Sequence, residues 1–302
     1  MIPWLVFLIL AYVLWRHFPT IGQEISRNPG PLILSVLFLL VNGVGGLLSW
    51  YYAVNERERI LSLEEAYKIF AATVLAKYLP LGKALQFVPL LASKAGENNK
   101  THFAYSFVVC NILGAVVGVG IAMLGTLVWL NDFKKYSTNL MFLGVALVMG
   151  LAVSRPVLKA LSRRLSSAGI ELTRFTPWNL ARLMGIQLVL GWLAEGAALV
   201  LLIQGTGREV SLEDFAHLMT SYAIASLAGY LAVITPGGIG VREGLFALLL
   251  QPRFSTGVAA YVAIAMRVAS ILADVIFSFG LLGSHLRESK NSQLTPILKK
   301  NT

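Results

Sequence analysis

Four ionisable residues stand inside stretches that are otherwise apolar: Arg182 and Glu195 within 178–203, and Arg267 and Asp274 within 256–283. Arg267 and Asp274 are seven residues apart with Ser270 between them, a spacing that puts all three on one face of a helix. Two further apolar segments, 64–93 and 212–250, are interrupted. The first break reads Lys77-Tyr78-Leu79-Pro80-Leu81-Gly82-Lys83, with Gln86 just beyond it. The second reads Thr235-Pro236-Gly237-Gly238-Ile239-Gly240-Val241-Arg242-Glu243. An ionisable group in an apolar medium costs roughly 2.5–3.5 kcal/mol, so such groups pair or serve a pathway. Lys77, Lys83, Arg242 and Arg267 face Glu195, Glu243 and Asp274, which leaves a shared cavity about one positive charge in excess. The glycine-rich breaks add backbone N–H groups at half-helix N-termini, which attract anions. The chemistry this set suits is binding of an anionic head group, phosphate first. The same residues could instead be interhelical ion pairs that only hold a bundle together.

The surrounding composition says what medium these groups occupy. Of the 302 residues, 56% are hydrophobic and 13% are charged, and the mean hydropathy is +0.71. Soluble domains carry roughly 25% charged residues, so a soluble globular fold and a disordered chain are both excluded. One cysteine excludes a disulfide framework and a cysteine-based metal site. Six apolar runs approach the 20 or so residues of a spanning helix: 2–15, 31–54, 102–130, 138–153, 178–203 and 256–283. They lack the alternation of a strand-built barrel, so the expected fold is all-α, a polytopic helical membrane bundle forming one integral domain over 1–302. The first run reads as a signal anchor rather than a cleaved signal peptide. Pro177 suits the first turn of the helix it opens. Trp4, Trp15, Trp50, Trp129 and Trp178 lie near run ends, as an aromatic belt would place them.

Three of the four pieces flanking the breaks (64–79, 81–93, 212–234 and 239–250) are too short to span, which points to re-entrant helical hairpins. Ser62-Leu63-Glu64-Glu65 and Ser211-Leu212-Glu213-Asp214 begin the two broken segments as capping boxes. The unit helix–broken hairpin–helix therefore occurs twice, as 31–130 and 178–283, with 138–153 between. Sixteen basic residues fall in one alternating set of loops and the tail, against six in the other. The positive-inside rule then puts both termini in the cytoplasm and gives the two units opposite orientations, an inverted repeat of the kind found in secondary transporters. Segment 155–174 reads as a basic interfacial helix or, equally, as a solvated cytoplasmic loop. The net charge of +10 and pI of about 9.8 accordingly point to anionic lipids rather than nucleic acid.

Weaker features fit packing. Asn42, Gly45, Gly46 and Ser49, and likewise Asn111, Gly114 and Gly118, form small polar stripes that suit close helix contact. Cys110 reads as a small apolar filler. His17, His102, His217 and His285 lack metal-ligand spacing and read as interfacial. No P-loop, HExxH, GxSxG or dinucleotide fingerprint occurs, so no cofactor or metal is implied.

Lys77-Tyr78-Leu79-Pro80, the buried Glu195, and Pro236-Gly237-Gly238-Ile239-Gly240-Val241-Arg242-Glu243-Gly244 together resemble the transmembrane region of lysylphosphatidylglycerol synthases. The first motif departs from the usual form of that family: Leu81 lies between Pro80 and Gly82, and no tryptophan follows Lys83. The soluble aminoacyl-transferase domain of the full synthase has no counterpart here. The resemblance thus implies the lipid-translocating half of such a system, in the inner membrane. The expected activity is flippase-like movement of an anionic phospholipid or a polyprenyl-phosphate-linked glycolipid. Lys77, Lys83, Arg242 and Arg267 would attract phosphate, with Tyr78 and Gln86 beside them. Glu195, Glu243 and Asp274 would orient those cations or exchange protons. Pro80, Gly82, Pro236, Gly237, Gly238 and Gly240 would shape the breaks. The alternative is a membrane-embedded transferase, or a partner of one, in glycolipid or polysaccharide biosynthesis. The partners implied are membrane lipids and enzymes of envelope glycolipid or aminoacyl-lipid synthesis.

Overall fold

The computed structural model describes residues 28–56, 58–78, 82–93, 97–129, 175–232, 238 and 240–298; side chains at 82, 83, 97, 98, 127–129 and 281–298 lie outside that description. The described residues form helices and turns, with no strand among them. Among the described residues, four helices are long and apolar enough to cross a membrane: Gly30–Val54, Asn99–Thr126, Pro177–Gln204 and Thr256–Gly280. They coincide with four of the six expected runs. The runs 2–15 and 138–153 and the basic segment 155–174 lie outside the described residues, as do Trp4, Trp15 and His17 and the side chains of Trp129 and His285.

The first unit begins with α1 (Gly30–Val54). Asn55 then turns the chain: its Oδ1 accepts the N–H groups of Ile60 and Leu61 at 2.7 and 2.9 Å. Helix α2 (Leu63–Ala76) starts on a complete capping box, with Ser62 accepting the Glu65 N–H and Glu65 accepting the Ser62 N–H. Those bonds from Ser62 hold the Glu65 carboxyl below its usual range. Beyond the break come two short helices, α3 (Gly82–Leu85) and α4 (Phe87–Leu91), and α4 packs back on α2. Helix α5 (Glu97–Trp129) completes the unit.

The second unit repeats the order. A single rod is built from α6 (Pro177–Ile186), a π-helical stretch at Gln187–Trp192, and α7 (Leu193–Gln204). Pro177 sits in its first turn, as expected, and Thr176 caps it by accepting the Asn179 N–H. Helix α8 (Leu212–Leu231) opens on the second capping box, Ser211 with Asp214. After the glycine-rich break, α9 (Val241–Leu250) packs back along α8, and α10 (Thr256–Leu298) closes the unit. The hairpin arms α2 and α9 have 14 and 10 residues, about 21 and 15 Å at 1.5 Å per residue, well short of a bilayer.

The two units interlock. Helix α1 packs along α7 and α10, and the Ser35 hydroxyl donates to the Ala198 carbonyl at 3.0 Å. Each unit's last helix crosses the other unit's hairpin nine residues after the cap serine. On one side the Ser278 hydroxyl donates to the Ala71 carbonyl at 3.1 Å. On the other, Thr220 sits over Gly125, so closely that a Cβ there would lie 1.7 Å from its hydroxyl. The small-residue stripes do serve close packing. A Cβ on Gly45 would meet Leu190 at 2.6 Å, and one on Gly118 would meet Trp192 at 2.4 Å. Ser49 accepts from Gln187 at 3.2 Å across the same interface.

Two expectations need correction. Trp178 is 82% exposed, as a belt residue should be, but Trp50 is fully buried and donates to the Phe103 carbonyl at 3.1 Å. The turn after α1 folds the chain back over it, and Phe70 and Phe103 pack on its ring. His217 is buried rather than interfacial, with its ring nitrogen 2.9 Å from the Leu249 carbonyl. It joins the two arms of the second hairpin near their base. There Arg253 also clasps Asp214 at 2.5 Å and Glu213 at 2.8 Å. Burial alone would raise the Asp214 carboxyl, but hydrogen bonds from Arg253 and Ser211 outweigh it and hold it below the usual range.

Two measurements follow from this packing. Gly118→Leu, overpacked against Trp192, should cost about 1–3 kcal/mol and lower the unfolding midpoint in detergent. Gly120→Ala, with nothing within 4 Å of its Cβ, should leave the midpoint unchanged or raise it. The depressed Asp214 group stabilises the fold above its unfolded pKa of about 3.9, and that contribution fades as pH falls through the folded value. Asp214→Asn should therefore destabilise at neutral pH by about 1–2 kcal/mol and flatten the acid limb of the stability curve.

Candidate functional site

Described residues at the edges of both breaks reach α10, and the ionisable residues meet there. Lys77 ends α2, and its Nζ lies 2.7 Å from Asp274 Oδ2 on α10. The Tyr78 hydroxyl donates to the same carboxylate oxygen. The Tyr78 ring lies between two cations, with Lys77 Nζ 5.2 Å and the Arg267 guanidinium 5.4 Å from its centroid. Arg267, two turns before Asp274 on α10, reaches Glu243 at 3.4 Å.

Glu243 belongs to the second break, where backbone geometry demands glycine. Gly238 and Gly240 have φ of 72° and 92°, in the region L side chains avoid. A Cβ on Gly238 would also meet the Gly229 backbone of α8 at 3.0 Å. The chain thus folds tightly onto α8 before α9 begins. The Gly240 N–H donates to Glu243 Oε2 at 2.7 Å, which fixes that carboxylate at the helix N-terminus.

Arg242 departs on the other side. Its Nη2 lies 3.5 Å from Glu195 Oε1 and donates to the Tyr222 hydroxyl, while its guanidinium stacks 4.5 Å from the Tyr222 ring centroid. The Tyr222 hydroxyl donates in turn to Glu195 Oε1 at 3.2 Å. Arg242, Tyr222 and Glu195 therefore form a closed triangle drawn from α9, α8 and α7.

A small recess opens beside Arg242, Glu243 and Arg267, between α8, α9 and α10. Tyr222 and Ser270 add hydroxyls to its lining, and Phe246, Ala263 and Met266 supply apolar wall. Two guanidinium groups at one recess suit an oxyanion, which arginine binds in a planar fork. Among the described residues, no group of His, Cys, Asp and Glu is gathered as metal ligands.

The structure thus brings together Lys77, Tyr78, Glu195, Arg242, Glu243, Arg267 and Asp274 among the expected site residues, with Gly238 and Gly240 shaping the break. Gly82 begins α3, and Gln86 occupies the turn between α3 and α4. Pro80, Pro236 and Gly237 and the side chain of Lys83 lie outside the described residues. Among the described side chains the cations and carboxylates match one to one: Lys77 with Asp274, Arg242 with Glu195, and Arg267 with Glu243.

Sequence reasoning missed Tyr222. It stands in a helix of small residues with no charged neighbour, and only the fold brings it between Arg242 and Glu195. The clasp of Arg253 on Glu213 and Asp214 was also missed, although a basic residue closing a hairpin that opens on two carboxylates is a readable signal.

No curated protein matches the chain. The family described as the lysylphosphatidylglycerol synthase TM region matches over residues 3–278, a range that contains the first unit, all but the end of the second, both breaks and every ion pair above. The chain therefore belongs to the lysylphosphatidylglycerol synthase TM region family of integral membrane proteins.

Proposed function

We propose that the protein is a lipid translocase of the inner membrane that moves an anionic phospholipid, or a polyprenyl-phosphate-linked glycolipid, between leaflets. The observation that carries this reading is the pair of guanidinium groups, Arg242 and Arg267, at one recess between a broken hairpin and a membrane helix. A lipid phosphate there would meet two forked cations, while its chains would stay against the exposed apolar faces of the surrounding helices. The breaks permit movement that a continuous helix would resist. Both termini lie in the cytoplasm in this reading, and the two units form an inverted repeat whose hairpins open to opposite sides. The matching element order, the twin capping boxes and the reciprocal crossings of α5 and α10 support that arrangement.

The direct test is translocation of fluorescent phosphatidylglycerol in proteoliposomes. Arg242→Ala should reduce the rate about tenfold to a hundredfold, the loss expected when a hydrogen bond to a charged group worth about 1.5–3 kcal/mol disappears. Folded wild-type protein that moves no phosphatidylglycerol and no polyprenyl-phosphate lipid would sink the reading. A covalent lipid product would favour a transferase instead. Topology is tested separately in a Cys110→Ser background. Cysteine at Glu58 should label only from the cytoplasmic side, and cysteine at Glu209 only from the opposite side.

A further inference from the structure

The described charges of the site sum to zero, which constrains how an anion can enter. Lys77, Arg242 and Arg267 each hold a carboxylate within 4 Å. An anion that engages one of these cations competes with the carboxylate already there. A carboxylate left behind in a low-dielectric site would be an uncompensated buried charge, a strongly unfavourable state unless it takes up a proton.

The three carboxylates are not equally held. Glu243 accepts the Gly240 backbone N–H at 2.7 Å as well as facing Arg267, so it keeps a fixed donor when Arg267 turns to a ligand. Asp274 has Lys77 at 2.7 Å and the Tyr78 hydroxyl, both from the first hairpin and neither on the recess. Glu195 depends on Arg242 at 3.5 Å and on the Tyr222 hydroxyl, which itself accepts from Arg242. Both of its partners line the recess, and Glu195 does not. A ligand oxyanion on Arg242 therefore weakens both supports of Glu195 at once.

Both hairpins contribute groups that face Glu195. From the second hairpin they are Tyr222, Tyr230 and Arg242, with Lys77 of the first hairpin further off. Arg267 and Asp274 stand on α10 at the other side of the cluster. Helix α1, packed along α7, contains no charged residue, and α5 has its charged residues only in its first turns.

Resting on the lipid-translocase reading above, we propose that the site binds one lipid phosphodiester together with one proton, Arg242 passing from Glu195 to the phosphate while the Glu195 carboxylate becomes a carboxylic acid. The charge of the site is conserved. Before binding, Arg242 and Glu195 cancel; afterwards Arg242 and the phosphodiester cancel, and Glu195 is neutral. The proton comes from water, and no bond of the lipid is made or broken. A phosphodiester is a monoanion throughout the physiological pH range, so the proton counted belongs to the protein. Movement of the loaded site is then electroneutral, and a transmembrane proton gradient can drive lipid movement without a nucleotide.

The experiment is calorimetric titration of the detergent-solubilised chain with short-chain phosphatidylglycerol at pH 8, in two buffers of different ionisation enthalpy. Wild type should take up about one proton per lipid bound, and its affinity should fall up to about tenfold per pH unit on the alkaline side. Glu195→Gln, which mimics the protonated carboxyl, should bind with no proton uptake and with affinity independent of pH. Asp274→Asn, if it folds and binds, should still take up the proton. Wild type that binds without proton uptake would overturn the coupling and leave the lipid reading standing. Proton uptake that persists in Glu195→Gln, or that vanishes in Asp274→Asn but not in Glu195→Gln, would overturn the assignment to Glu195. Failure of folded wild type to bind phosphatidylglycerol or a polyprenyl-phosphate lipid at any pH would instead remove the lipid reading itself.

Discussion

Charge inside an apolar bundle must be compensated locally, and here each compensation joins a broken element to a continuous one. Lys77 at the first break pairs with Asp274 on α10. Arg242 after the second break pairs with Glu195 on the Pro177–Gln204 rod. Glu243 beside it pairs with Arg267, again on α10. None of these pairs lies within one hairpin. Removing one partner of a buried pair costs about 3–5 kcal/mol, so the short arms are anchored by their charges as much as by their apolar contacts. An arm of 10 residues such as α9 has little helix stability of its own, and these anchors fix where it sits.

The same constraint ties fold to function. A set of pairs that only held the bundle would be best placed away from any opening. Instead Arg242, Glu243 and Arg267 border a recess, with Tyr222 and Ser270 hydroxyls around them. The pairs at the recess are also the longer ones, 3.5 and 3.4 Å, against 2.7 Å for Lys77 with Asp274, which lies off it. Longer pairs are easier for a ligand anion to exchange into. The first hairpin's pair is therefore the structural anchor, and the second hairpin supplies the exchangeable cation.

What the sequence made legible was local. Capping boxes at Ser62 and Ser211, the proline at 177, the glycine-rich break and four apolar runs depend on neighbours a few residues away, and each appears where it was expected. Arg267 and Asp274 were placed on one helical face correctly because seven residues is close to two turns. What failed was assignment by position alone. Trp50 lies near a run end, yet the Asn55 turn brings Phe70 and Phe103 over it. Which cation takes which carboxylate could not be read either, because those distances depend on how α8, α9 and α10 cross. Tyr222 carried no signal for the same reason.

The π-helical stretch shows how such distances are met. Upstream of Glu195 the rod must satisfy two contacts with the first unit: Gln187 donating to Ser49 and Trp192 donating to the Gly114 carbonyl at 3.0 Å. Downstream it must aim Glu195 at Tyr222 and Arg242. A regular helix advances about 100° per residue, so these two demands agree only if the sequence spacing matches the geometry of the bundle. One extra residue in a wide turn rotates everything that follows by about that angle. The wide turn carries the first set of contacts at its two ends and precedes the second, with the Gly191 backbone beside Gln187. It lets one rod dock on the first unit through its upper face and present a carboxylate to the second hairpin three residues after the turn ends. Glu195 is thus positioned by an irregularity in its own helix as well as by its partners.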